Sequence, residues 1–184
     1  MKQKVVLIGA STGGPSQIKE LLKEIRNLSS IVIIIQHMKE EVLPFFIKDI
    51  LSTCRFNVHT TPLEFKMSTP QIIICSHSSV IEKKYSYFYI QTDRENQHYT
   101  PDINKFFQSF SSYSTLFDID VIIMTGIGSD GIEGAKVLKD LGATIYAEDE
   151  VSSPVYGMPK AAVESGIVDR EMSFQELKEY FREL

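Results

Sequence analysis

Residues 5–10 form an unbroken apolar run, the pattern of a strand buried on both faces of a sheet. Behind Pro15, Ile18, Leu21, Leu22 and Ile25 follow at helical spacing. Residues 31–35 repeat the theme, and Leu43, Phe46, Ile47, Ile50 and Leu51 then recur at i, i+3, i+4, i+7 and i+8, with Pro44 tolerated in a first turn. Buried strands alternating with amphipathic helices predict the α/β class: a doubly wound, mainly parallel sheet with helices on both faces. Residues 55–60, 71–75 and 85–91 read as shorter strands with little helix between them, which predicts a small antiparallel excursion in mid-chain. Ile103, Phe106, Phe107 and Phe110 mark a helix that starts at Pro101 and Asp102. Residues 121–124 are a fully apolar strand, 131–141 read as helix, 144–147 as strand and 154–165 as mostly helix. Ser173 with Glu176 is a capping box opening a terminal helix that carries Phe174, Leu177, Tyr180 and Phe181. With 184 residues, no internal repeat and no linker, residues 1–184 are expected to form one domain.

Hydrophobic residues are 43% and charged residues 23% of the chain, the balance of an ordinary globular protein. Nineteen Lys and Arg against 24 Asp and Glu leave a net charge of −5, so no basic footprint for nucleic acid or an anionic bilayer is present. Cys54 and Cys75 lack a CxxC spacing and lie near apolar stretches, which reads as reduced, buried thiols. No apolar run reaches the roughly 18 to 20 residues of a membrane span, and the start of the chain does not read as a signal peptide. The expectation is a cytoplasmic protein without direct membrane insertion.

In a parallel sheet the strand C-termini emerge on one edge, and ligands bind there where the strand order reverses. Gly9-Ala-Ser11-Thr-Gly-Gly14 follows the first strand, Gln36-His37-Met38 the second, and Thr125-Gly-Ile-Gly-Ser-Asp130-Gly131 the strand at 121–124. A serine, a histidine and an aspartate thus each stand within a few residues of such an end. Gly9-x-Ser11-x-Gly13 between strand and helix has the form of a nucleophile elbow, and amides at the following helix N-terminus can hold an oxyanion. The same loop also fits a glycine-rich turn that binds phosphate or only packs. His37 fits either a base or a strand-end histidine bonded to backbone. Asp130 fits either the cap of the helix that follows it or the acceptor for Nδ1–H of His37, leaving Nε2 to take the Ser11 proton. The order Ser, His, Asp is not that of α/β-hydrolases. The dinucleotide fingerprint and the P-loop both fail on the residues present. His59, His77 and His98 have no partner at metal-ligand spacing, so neither a metal nor a cofactor is assigned.

Four blocks together resemble the CheB-type protein-glutamate methylesterases of bacterial chemotaxis, in their catalytic domain. They are Ile8-Gly-Ala-Ser-Thr-Gly-Gly14, Gln36-His-Met38, Met124-Thr-Gly-Ile-Gly-Ser-Asp-Gly131 and Ser153-Pro-Val-Tyr-Gly-Met-Pro-Lys-Ala-Ala162. The resemblance implies a serine hydrolase in which Ser11 is the nucleophile, His37 the base and then the acid, and Asp130 the orienting carboxylate. Thr12 and the backbone amide of Ile127 match positions that hold the ester or its oxyanion. The implied reaction is hydrolysis of γ-glutamyl methyl esters on cytoplasmic helices of chemoreceptors, with receptor glutamine deamidation as a second activity. Both are acyl transfers to serine followed by hydrolysis.

The chain departs from the family pattern in four places. Members usually carry an N-terminal phosphorylatable receiver domain, whereas the first strand here begins within a few residues of Met1, so phosphorylation control within this chain is not expected. Cys75-Ser-His-Ser-Ser79 and His98-Tyr-Thr-Pro-Asp-Ile103 replace the family's usual segments, and Ile127 replaces a usual methionine. Two alternatives stand beside the methylesterase: a catalytically silent receptor-binding module, and a small-molecule serine esterase on the same fold.

Overall fold

The computed structural model describes residues 2–66, 68–93 and 100–184. The first half of the chain runs β1 (Gln3–Ala10), α1 (Gly14–Glu24), β2 (Ile31–Gln36), α2 (Leu43–Leu51), β3 (Val58–Thr60), β4 (Leu63–Phe65), β5 (Gln71–Cys75), β6 (Ser79–Lys84) and β7 (Tyr87–Thr92). The second half runs α3 (Ile103–Phe110), a 3₁₀ turn (Ser111–Leu116), β8 (Phe117–Ile123), α4 (Ile132–Asp140), β9 (Thr144–Glu148), α5 (Met158–Glu164), β10 (Arg170–Met172) and α6 (Phe174–Arg182). Seven strands form one sheet in the order β10-β9-β8-β1-β2-β5-β3, and β4-β7-β6 form a second, antiparallel one. Every pairing in the larger sheet is parallel.

Alternation along the strands builds two cores. Val5 and Leu7 face a cluster with Phe106, Phe107 and Phe110 of α3, Ala135 and Leu138 of α4, and Phe88 and Ile90 of the small sheet. Val6 and Ile8 face the other way, onto Ile18, Leu21 and Leu22 of α1, Phe46 and Ile50 of α2, and Leu177 and Phe181 of α6. The doubly wound α/β architecture with a small antiparallel excursion is therefore as the apolar runs predict. Among the described residues no helix is long and apolar enough to cross a membrane.

The differences are local. Residues 154–165 read as mostly helix, but α5 begins only at Met158, because Val155 and Gly157 bond across to Gly126 instead. Tyr85 stands in a turn at φ 57, so the strand expected from residue 85 starts at Tyr87. β4, β6 and β10 were not anticipated: β4 and β10 have three residues each, and β6 ends in the exposed Glu82-Lys83-Lys84. Cys75 is buried, and burial pushes its thiol pKa well up, whereas Cys54 is only half-buried, contrary to the sequence reading.

Candidate active site

From β1 the chain winds outward through β2 to β5 and β3, then returns on the other side as β8, so the order reverses between β1 and β8. Crevices for ligands open at the strand C-termini of such a point. Ser11 follows β1, Asp130 follows β8, and His37 follows β2 on the neighbouring strand. The backbone of the serine turn is fixed on both sides: the Ser11 amide donates to Thr125 O (2.9 Å) and the His37 amide donates to Ala10 O (2.9 Å). The approach is close enough that a Cβ on Gly126 would stand 2.6 Å from Ser11 Cβ and 2.5 Å from Met158 Sδ, so any side chain there would force its neighbours to shift.

His37 Nε2 lies 2.7 Å from Asp130 Oδ2, with the two side chains 12% and 1% exposed. The partnership of His37 with Asp130 is present, but through the other ring nitrogen from the one expected, since the sequence reading paired Nδ1 with the carboxylate. The carboxylate is held in place by α3, at whose start its Oδ2 also accepts the amide of Ile103 (2.9 Å) and its Oδ1 those of Asn104 (3.0 Å) and Gly131 (2.8 Å). Asp130 is thus not the cap of the helix that follows it. Gly131 is the N-cap of α4, and the Asp130 carboxylate ties down the first turn of α3 alongside Asp102, the N-cap of that helix. Burial works to raise the Asp130 pKa, but the hydrogen bonds of His37, Ile103 and Asn104 outweigh it and hold the carboxyl below its usual value.

Beneath the serine turn is a polar arrangement that sequence reasoning missed. Thr125 Oγ1 donates to Thr12 O (2.8 Å) and accepts the Val155 amide (3.0 Å), joining the serine turn to the 149–157 loop. The Thr125 amide in turn donates to Glu148 Oε2 (3.0 Å). Glu148 is fully buried and receives Gln17 Nε2 (2.5 Å), Ser153 Oγ (3.0 Å) and Ser152 Oγ (3.4 Å) as well. Burial raises its pKa and prevails over those donors. The available signal was an acidic residue ending an apolar strand, at the same sheet edge as Gln36 and Ser11.

Of the remaining candidates, Thr12 and Ile127 bracket Ser11 from the β1 and β8 loops. No described residue accepts the amide hydrogen of either, and the Ile127 side chain is 65% exposed. His77 pairs with Glu40 (2.8 Å) and bonds Ser76 Oγ through Nδ1 (3.0 Å), while His59 is exposed on β3. His98 lies outside the described residues. Ser78 Oγ accepts the Asp102 amide (2.9 Å) and Thr100 O the Met38 amide (3.3 Å), so the Cys75–Ser79 segment meets the start of α3 and Thr100 meets the residue after His37. Among the described residues no three His, Cys, Asp or Glu side chains gather as a metal site.

Comparisons with known proteins give the family of the chain. The chain is 30% identical over 180 residues to a protein-glutamate methylesterase/protein-glutamine glutaminase of Photobacterium profundum, covering 95% of this chain and 51% of that protein. It is 33% identical over 171 residues to one of Oleidesulfovibrio alaskensis, covering 91% and 48%. The chain thus spans about half the length of the curated relatives it matches. Its fold superposes on the crystal structure of the Thermotoga maritima CheB methylesterase catalytic domain with a TM-score of 0.84, covering 98% of both chains at 23% identity. The family model described as CheB methylesterase matches residues 6–181, and the chain belongs to that family.

Proposed function

We propose that the protein hydrolyses γ-glutamyl methyl esters on the cytoplasmic helices of chemoreceptors, and deamidates receptor glutamines, by covalent catalysis at Ser11. It does so in the cytoplasm, where those helices lie, with no metal or cofactor. The observation that carries the reading is the His37–Asp130 pair at 2.7 Å beside the serine turn, with its carboxylate buried. A buried carboxylate that orients an imidazole and stabilises its cation is what a serine nucleophile requires, and a silent binding module has no use for it. The names of the relatives, protein-glutamate methylesterase/protein-glutamine glutaminase, support the same two reactions.

With Nε2 turned to Asp130, Nδ1 of His37 takes the proton as Ser11 Oγ attacks the ester carbonyl. The amides of Thr12 and Ile127 receive the oxyanion of the tetrahedral intermediate. Collapse breaks the C–O bond, and the proton on His37 leaves with methanol. A water then gives its proton to His37 and attacks the glutamyl-Ser11 ester, which releases the free glutamate and restores the serine. Deamidation follows the same course with ammonia as the leaving group.

The test is methanol release from membranes carrying methylated chemoreceptors, with wild type and Ser11→Ala compared. Release that depends on Ser11 is the expected result. Hydrolysis of small aryl esters with none from receptors would move the protein to the small-molecule esterases, and no hydrolysis of either by the folded wild type would remove the enzymatic reading.

A further inference from the structure

Gln36 ends β2 directly before His37 and pairs in register with Ala10 of β1, the residue before Ser11. Its side chain is turned into the sheet edge, and the residue is 3% exposed. Nε2 donates to Ser11 O at 2.8 Å and to His37 O at 2.8 Å. An amide nitrogen carries two hydrogens, and both are consumed by these two carbonyls. The amide cannot be turned over, because Oε1 would then face two carbonyl oxygens. In the orientation it holds, Oε1 is buried without a hydrogen-bond partner. The side chain also needs a glycine opposite it: a Cβ on Gly14 would stand 2.1 Å from Gln36 Oε1.

A buried acceptor without a donor is a desolvation cost with no return. An apolar side chain of this length would remove the orphan acceptor and leave Ser11 O bonded by the Gly14 amide (2.9 Å), giving up only the donor to His37 O. What the glutamine adds is a single nitrogen that grips the main chain of Ser11 and of His37 at once. Ser11 and His37 follow different strands and are joined along the chain only through α1 and β2, so such a clamp fixes the distance over which a proton must pass. We infer that Gln36 is a positioning residue that sets the geometry between Ser11 and His37, at the expense of an unpaired buried oxygen. The inference rests on the reading of Ser11 as nucleophile and His37 as its base.

The experiment measures the rate at which a fluorophosphonate ester modifies Ser11, read by mass spectrometry, together with the thermal midpoint of each protein. The proteins are wild type, Ser11→Ala, Gln36→Met and Gln36→Glu. Wild type should react at Ser11 and Ser11→Ala should not. Gln36→Met, which removes the clamp and the orphan oxygen together, should react about 10- to 100-fold more slowly, as misplacement of a reacting group by an ångström does. Its midpoint should stay within about 4 °C of wild type or rise, a separation that a merely structural role would not produce. Gln36→Glu keeps the shape but sets an oxygen against the two carbonyls, so it should lose both rate and midpoint. A Gln36→Met protein that folds and reacts at the wild-type rate would overturn the inference while leaving the nucleophile in place. If Gln36→Met fails to fold, a Gln36→Glu protein reacting at the wild-type rate would overturn it equally. Wild type unlabelled at Ser11 would remove the nucleophile reading and the inference with it.

Discussion

Asp130 holds His37 Nε2 with the same oxygen that accepts the Ile103 amide, so one carboxylate both orients the imidazole and anchors the first turn of α3. Its second oxygen takes the amides of Asn104 and Gly131, which leaves no lone-pair direction for a donor group in its place. The contact to His37 and the anchoring of α3 meet at this residue, so under the proposed mechanism substitutions there are expected to move both turnover and stability.

Asp130→Asn should therefore lower turnover by about 10³ to 10⁴, since the amide cannot stabilise the imidazolium. It should also destabilise the protein by roughly 1–3 kcal/mol, because one face of the amide sets N–H against backbone N–H. The wild-type carboxyl is held below its unperturbed value of 3.8, so its contribution is complete above that pH and is lost as pH falls through the folded value. Thermal midpoints of the two proteins should converge in acid and diverge towards neutrality. A midpoint difference that is the same at both extremes would mean that the carboxylate is not anchoring α3 through its charge.

Glu148 has the opposite sign. Its folded pKa is raised above the unperturbed 4.5, so between the two values the folded state holds a proton that the unfolded chain has lost. Its stabilising contribution is complete below 4.5 and disappears as pH rises through the folded value. Glu148→Gln removes this penalty, and its new amide faces Gln17, whose Oε1 is buried and unpartnered. The midpoint of the variant relative to wild type should rise as pH climbs from 4.5 through the folded value. A relative midpoint that stays flat or falls over that range would show that Glu148 carries its charge without penalty.

Gly126→Ala introduces a methyl 2.5 Å from Met158 Sδ and 2.6 Å from Ser11 Cβ. Overpacking of this kind costs about 1–3 kcal/mol, and the displaced serine should lose on the order of 10²-fold in turnover. Thermal melts and methanol release on the same sample check both, and wild-type turnover would mean that the serine turn tolerates movement.

The parallel sheet was legible because residues 5–10, 31–35, 72–75 and 121–124 are apolar without interruption, the pattern of strands covered on both faces. The strands β4, β6 and β10 were not, since each buries a single apolar side chain, Phe65, Ile81 and Met172, among half-exposed, exposed or polar neighbours. The positions of Ser11, His37 and Asp130 followed from their places after strand ends. The ring nitrogen that Asp130 meets did not, because it depends on α3, an element some seventy residues away in the chain from His37 and joined to Asp130 only in space. Gln36, Thr125 and Glu148 escaped for a related reason: each acts through backbone groups of other loops, and no spacing in the sequence records such contacts.

The central claim is that Ser11 and His37 act as one proton-transferring unit, and a double-mutant cycle on methanol release from methylated receptor membranes tests it most directly. Ser11→Ala and His37→Ala should each lower turnover by about 10⁴ to 10⁶, and the double mutant should be little worse than either. Losses that multiply in the double mutant, or a folded Ser11→Ala protein that retains wild-type release, would contradict the account.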